Sequence, residues 1–423
     1  MRPYISFLVK NKTLRIPVFR NYLLMRTAII MSLNMQITII SYLVYKLTKD
    51  QLSLGIIGLA EVIPAVVFSL FSGHLVDNRE KKRSLLQCII AYLFLSAFFV
   101  LLATSWFQKQ AGIDFTVWLI YAGVFVSGAI RAFLSPSTFA LLGLIIPKKH
   151  YANAGIWSST SWHLGAVLGP LLGGFIIAIN GFTTSLVTVF AIQVVSLVSL
   201  LRIPKQAIHA SGKESIMKSL GEGLRFVFST QAILAVLSLD MFAVLFGGAT
   251  ALLPVYADDI LKVGEVGFGW LRAAPALGAI IMSGFLAFIP LKTKAGPKLL
   301  WCIAGFGAST IIFGIATNFW VALIALLLGG AFDQISVVIR GTILQLYTPD
   351  NMRGRVAAVN TMFISSSNEL GALESGVTAK WMGTVPAVVF GGIMTFVVVI
   401  ATYFSAPILK TLKLEPSETK DKT

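Results

Sequence analysis

The sequence predicts an all-α integral membrane protein: twelve transmembrane helices in two six-helix parallel pseudo-repeats. Three observations carry that prediction. Apolar runs of spanning length fill the chain, its positive charge is concentrated in alternate loops, and a set of short motifs recurs in the same order in both halves.

The apolar runs come first. Hydrophobic residues make up 56% of the chain and charged residues 12%, against about a quarter charged in ordinary soluble proteins. A spanning helix requires roughly 20 predominantly apolar residues. Twelve runs qualify, over 21–46, 54–75, 84–104, 116–146, 154–178, 181–201, 231–256, 266–290, 298–317, 319–346, 356–379 and 384–408.

Charge placement follows. A net charge of +16 in a soluble protein would suggest nucleic acid, but roughly 25 of the Lys and Arg residues lie in residues 1–20, 79–83, 148–149, 202–230, 292–298, 353–355 and the tail. The opposite loops hold only Lys46, Lys49, Lys109, Lys262 and Lys380. That asymmetry is the positive-inside pattern of a multi-pass protein with both termini in the cytoplasm. Short scattered basic loops form no nucleic-acid-binding domain, and none is expected.

The repeat is legible in three matches. Ser32-Leu33-Asn34-Met35 returns as Ser238-Leu239-Asp240-Met241. Gly58, Glu61, Pro64 and Gly73 correspond at one offset to Gly269, Arg272, Pro275 and Gly284. Leu141 to Pro147 align with Ile343 to Pro349, which sets Arg131 opposite Asp333. Parallel repeats of this kind build transporters whose substrate site lies between two six-helix halves. The expected division is a first bundle over 1–203, a cytoplasmic linker over 204–230, a second bundle over 231–410 and a cytoplasmic tail over 411–423. The linker reads as a solvated tether with one short amphipathic helix.

Cys88 and Cys302 form no CxxC pair and are expected as free thiols. His74, His150, His163 and His209 are far apart, so no metal site is expected. The absence of a Walker P-loop argues against an ATP-driven mechanism within the chain. Paired carboxylates, Gly-x-Ser-x-Gly or metal-ligand sets at a membrane face are also missing, which disfavours a membrane-embedded lipid-modifying or proteolytic enzyme. No catalytic residue and no cofactor are assigned.

Three motifs carry mechanism. In the fifth run, Gly165, Gly169, Pro170, Gly173 and Gly174 place small residues along one helix face around a proline, so that another helix can approach closely. After the second run comes Gly73-His74-Leu75-Val76-Asp77-Asn78-Arg79-Glu80-Lys81-Lys82-Arg83, an acid followed by a basic run that suits a switchable contact at a cytoplasmic helix end. The third runs from Arg340-Gly341 through Thr348-Pro349-Asp350 and Arg353-Gly354-Arg355 to Gly371, Glu374, Ser375 and Gly376.

These patterns resemble the major facilitator superfamily. The glycine–proline run is similar to its antiporter motif, which marks exporters more often than importers. The loop resembles its cytoplasmic gate motif, with Gly73, Asp77, Arg79 and Arg83 in place, but with Asn78 and Glu80 departing from the pattern. The third motif is similar to the branch of siderophore exporters and macrolide efflux pumps. The resemblance implies helices one, four, seven and ten around a central cavity, a cell (inner) membrane location, a monomer, and expulsion of amphipathic small molecules by alternating access driven by protons. Uptake symport and lysolipid transport are alternatives on the same fold.

Ionisable residues at mid-span cost several kcal/mol, from about 2.5 upwards, unless they face a cavity or a partner. Runs three, six, nine and twelve have uncharged interiors. Proton-coupling candidates are Asp240 first, because its repeat partner Asn34 is neutral, then Glu369, Glu374, Asp333 and Glu61. Arg131, Arg340 and Arg272, with Asn34, are candidates for balancing these acids or binding substrate. Arg26, near a span end, is expected to pair locally or snorkel. Phe19, Tyr42, Tyr45, Trp157, Trp162, Tyr256 and Trp270 are candidate stacking surfaces for a flat ligand.

Overall fold

A computed structural model describes residues 13–77, 80–147, 150–205, 216–288, 295–349 and 352–412. The elements that carry the argument are α1 (Pro17–Thr48), α2 (Gln51–Asp77), α3 (Lys81–Leu102), α4 (Ile113–Ile145), α5 (Tyr151–Leu201), α6 (Ile216–Ser229), α7 (Gln231–Gly247), α8 (Gly264–Phe288), α9 (Ala295–Ile315), α10 (Phe319–Tyr347), α11 (Arg353–Met382) and α12 (Thr384–Ser405). Among the described residues ten helices are long and apolar enough to cross a membrane. Two features reconcile that count with the twelve expected runs. The fifth and sixth runs adjoin within α5 as two helices that meet, without a loop, at a kink at Gly181. The eleventh, α11, falls short on hydropathy because it carries Asn360, Ser365, Ser366, Ser367, Asn368, Glu369 and Glu374 along its length.

The turns show the duplication as clearly as the motifs do. Gly181 (φ 77, ψ −179) and Gly383 (φ 89, ψ 160) stand in the same register as Arg131 and Asp333. Both adopt a conformation open essentially to glycine alone. Lys49 and Lys262 follow the first helical segment of each half and share φ 52, an uncommon setting for a side chain with a Cβ.

The chain packs as two compact units, residues 1–43 with 63–213 and residues 44–62 with 214–423. In the first unit α3 packs on α4 and α5. Lipid tails are as apolar as leucine, so helix association depends on close van der Waals packing and buried hydrogen bonds. Both are present. A Cβ added at Gly165 would lie 2.6 Å from Ile30 Cγ2, and one at Gly169 would lie 2.6 Å from the Met31 carbonyl oxygen. These glycines therefore let α5 press directly on the α1 backbone. Between α1, α3 and α5, Ser96 Oγ sits 2.8 Å from the side-chain oxygens of both Gln36 and Gln193. A hydroxyl donates only one proton, so the network closes with one amide turned to offer its NH2.

In the second unit α8 packs on α10, α9 on α10 and α12, and α7 on α11 and α12. Glycine again sets the distances, since a Cβ at Gly278 would fall 1.9 Å from the Leu327 oxygen and one at Gly330 2.0 Å from the Pro275 oxygen. The seventh run, expected as one helix over 231–256, breaks after Gly247 into a 3₁₀ turn, a short α segment and a π turn that ends at Ile260. Pro254 lacks the N–H that a continuous helix would use.

The linker differs from the expected tether. Residues 206–215 lie outside the described residues, but α6 docks on the second unit. Val227 is fully buried among Ile233, Leu237, Leu344, Val356 and Val359, Glu222 pairs with Arg355, and a Cβ at Gly223 would meet the Arg355 backbone at 3.0 Å. The apolar face of this amphipathic helix is covered by a groove of the protein itself.

Candidate functional site: charges buried in the second unit

Asp240, on α7, and Arg340, on α10, form an ion pair, with Asp240 6% and Arg340 5% exposed. Arg340 stands seven residues, about two turns, along α10 from Asp333. The tertiary packing gives it Asp240 instead. The equivalent positions of the first unit are Asn34 and Thr138, and both are neutral. Asn34 Nδ2 donates to the Ile30 carbonyl at 2.9 Å and Thr138 Oγ1 to the Leu134 carbonyl at 2.7 Å. Each therefore satisfies itself on its own helix, whereas the second unit has an ion pair that ties two helices together.

A second cluster surrounds Arg272 on α8, which interacts electrostatically with Glu369 of α11 and, more weakly, with Glu61 of α2. Small residues bring α2 and α11 together. A Cβ at Gly55 would lie 3.2 Å from Leu373 Cα, and one at Gly58 would lie 2.8 Å from Ala372 Cβ and 3.4 Å from Glu369 Oε2. Gly376 in turn faces Gly55 at 3.0 Å. Asp333 and Glu374 are half-buried on α10 and α11, and Arg131 is exposed on α4.

A third group at the α1–α2 turn escaped the sequence reading. Lys46 and Lys49 both pair with Asp258, Tyr45 donates to Asp259, and Lys380 pairs with Asp50 at 3.3 Å. The Asp258 contact holds the Lys49 ammonium above its ordinary range. These lysines counted only as topology markers in the sequence, although the adjacent acids at the matching helix end of the other repeat were a usable signal.

The remaining candidates divide. Gly165, Gly169, Pro170, Gly173 and Gly174 are all buried on α5, and the first two contact α1 as described. Gly73 and Asp77 fall within α2, but their side chains, and Arg79 entirely, lie outside the described residues; Arg83 is exposed on α3. Lys82 of the same run donates to the carbonyls of Leu201 and Ile203, a cation at a helix C-terminus where the macrodipole favours it. Arg26 does not snorkel, because its Nε donates to the Ser158 carbonyl at 3.2 Å. Among the candidate aromatics, Phe19, Tyr42, Tyr45 and Tyr256 are buried as packing groups, and Tyr256 stacks on Phe313 at 4.3 Å. Trp162 and Trp270 stay exposed. Cys88 and Cys302 are free and buried. Among the described residues no group of His, Cys, Asp and Glu could hold a metal ion.

Comparisons with known proteins agree with this architecture. The chain is 25% identical over 367 residues to the enterobactin exporter EntS of Shigella boydii serotype 18, covering 85% of each chain, and 25% identical over 366 residues to that of Escherichia coli O81. Its fold is similar to that of a bacterial homolog of the human lysosomal transporter Spinster, in an inward-facing and occupied conformation, with TM-score 0.70, 15% identity and coverage of 95% and 98%. It is also similar to the nucleoside transporter NupG, with TM-score 0.67, 13% identity and coverage of 92% and 99%. Residues 11–422 match the model of a transporter family described as transmembrane secretion effector, and the chain belongs to that family, within the major facilitator fold.

Proposed function

We propose that this protein is a proton-coupled exporter of amphipathic small molecules, siderophore-like or drug-like, working by alternating access in the cytoplasmic membrane with both termini inside. The moving bodies of this reading are the bundles over 1–203 and 231–410. The observation that carries the coupling is a charge count. Among the described residues the span interiors of the second unit hold Glu61, Asp240, Asp333, Glu369 and Glu374 against Arg272 and Arg340 alone. Carboxylates in a low-dielectric interior are groups whose charge a proton or cationic cargo can cancel. Export is supported by the glycine stripe of α5 and by the relation to EntS, a protein named for exporting enterobactin.

The test uses inside-out vesicles carrying the purified protein and a lumenal pH dye. With an inward-acid gradient imposed, candidate siderophores, macrolides and cationic dyes are added in turn. Substrate-evoked proton release from the lumen, abolished when the gradient is collapsed, is the expected result. No response to any compound from folded protein would favour uptake or lysolipid movement instead.

A further inference from the structure

The flank of the second unit carries a groove lined by uncharged residues alone. On α9, Trp301, Ala304, Gly305 and Ala308 follow one another at steps of three and four residues and so share a helix face. Phe332 of α10 and Phe396 of α12 form its walls, and the space between them measures about 370 Å³. Gly305 makes the floor, since a Cβ there would stand 2.8 Å from the Phe332 ring. All three helices are long and apolar enough to cross a membrane, and Trp301 is 78% exposed on them. At that depth the medium against the groove is hydrocarbon, so an apolar chain fits it.

One end of the groove is marked by charge. The start of α9 and the residues that follow α12 lie together there, because the Ala295 N–H donates to the Leu412 carbonyl at 3.1 Å and a Cβ at Gly296 would run into the Leu409 backbone. Lys298 stands in the first turn of α9, three and four residues before Trp301 and Cys302, hence on the groove's face. On α12, Tyr403 follows Phe396 by two turns on one face, and the Lys410 ammonium lies 3.9 Å from the centre of its ring. Trp301 and Phe404, 78% and 71% exposed, supply the aromatic residues usual at a membrane–water boundary. Among the described residues neither lysine is paired with an acid. Each ammonium keeps N–H donors for an anion.

We propose that the second unit binds one anionic phospholipid of the surrounding bilayer at this groove, with an acyl chain along Gly305 and Ala308 between Phe332 and Phe396 and the phosphate at Lys298 and Lys410. The inference rests on α9, α10 and α12 crossing the membrane and not on the cargo or the direction of transport. The chain by itself selects little, because bulk lipid is as apolar as the groove and only packing is gained. The headgroup selects. A basic residue at the surface strengthens the attraction of an anionic lipid by about fivefold, so two lysines at the mouth of one groove distinguish an anionic phospholipid from a neutral one with the same chains.

The experiment places the full chain in phosphatidylcholine nanodiscs that contain a minor fraction of either phosphatidylglycerol or phosphatidylcholine with brominated acyl chains, and reads quenching of tryptophan fluorescence. The part belonging to Trp301 is the difference between the wild type and Trp301→Phe. The expected result is that brominated phosphatidylglycerol quenches this part several-fold more strongly than brominated phosphatidylcholine at the same fraction. Lys298→Gln with Lys410→Gln abolishes the difference, and Lys298→Arg keeps it. Ala304→Leu, which fills the groove, removes the preference with both lysines in place; Ala308→Leu serves if thermal unfolding shows the first variant misfolded. Equal quenching by the two lipids in the wild type overturns the proposal, leaving an ordinary lipid boundary. A preference that survives the double lysine variant overturns the phosphate site, and one that survives filling of the groove overturns the seat of the chain.

Discussion

Two halves copied from one ancestral pattern have diverged most in what they bury. At the register occupied by Asn34 and Thr138 the first unit holds two neutral side chains, each bonded to its own helix. The second holds Asp240 and Arg340, bonded to each other. Around them the contrast persists. The first unit's internal polar network is Gln36, Ser96 and Gln193, and among the described residues its span interiors carry Arg26 and Arg131 but no carboxylate, the mid-span acid of the first repeat, Glu61, falling within the second unit. Neutral hydrogen bonds specify packing and do not respond to protons. Carboxylates specify packing and also titrate.

The sharpest way to break the comparison is to write the first unit's chemistry into the second. Asp240→Ala, or Arg340→Ala alone, leaves one buried charge without its partner and should lower stability by about 3–5 kcal/mol, read from detergent unfolding. The double variant Asp240→Asn with Arg340→Thr removes both charges together. It should recover most of that loss, because replacing a whole buried pair is often close to neutral. A double variant as unstable as the sum of the singles would show that the ion pair is not the link between α7 and α10.

The glycine contacts come next in size and probe what the halves share. Gly169→Ala would set a methyl 2.6 Å from the Met31 oxygen, and Gly330→Ala one 2.0 Å from the Pro275 oxygen. Each should lower stability by about 1–3 kcal/mol through overpacking, with Gly330→Ala the worse because both facing atoms are backbone. Gly341→Ala, with open space around its position, is the control expected to change little. An unaffected Gly169→Ala protein would mean that α5 does not press on α1.

The neutral network gives a smaller effect. Ser96→Ala removes the hydroxyl that both glutamines share, at about 1 kcal/mol for a lost buried bond; transport driven by a pH gradient should survive it. The smallest effects lie at the partly exposed pairs. Glu222→Gln loosens the α6 contact to Arg355 by no more than about 1 kcal/mol, measured as faster proteolysis near residue 213. The Lys49 contact has its own pH signature. A lysine held above its ordinary range stabilises the fold fully below that range and loses the contribution as pH climbs through the raised value. Lys49→Met should therefore flatten the alkaline limb of the stability profile and leave the neutral region nearly unchanged.

Much of this was legible beforehand because membranes impose simple rules. A run of apolar residues long enough to span, an excess of lysine and arginine in alternate loops and a repeated motif are one-dimensional facts, and they led directly to the membrane fold. The interruption at Gly181 was legible as the gap between the fifth and sixth runs, but the break after Gly247 was not, since hydropathy measures how apolar a stretch is and says nothing of its continuity. The docking of α6 was missed for a related reason: an amphipathic face announces that something apolar covers it, never what.

The sequence by itself determined the spans, their repeat and the list of ionisable residues that must find partners in a low-dielectric interior, because burial of a charge is costly wherever the chain goes. Only the tertiary structure decided which partners they found. Asp240 and Arg340 are a hundred residues apart, and Glu61, Arg272 and Glu369 come from three different helices. Which of them meet depends on which glycines let which helices approach, and that is a property of packing in three dimensions.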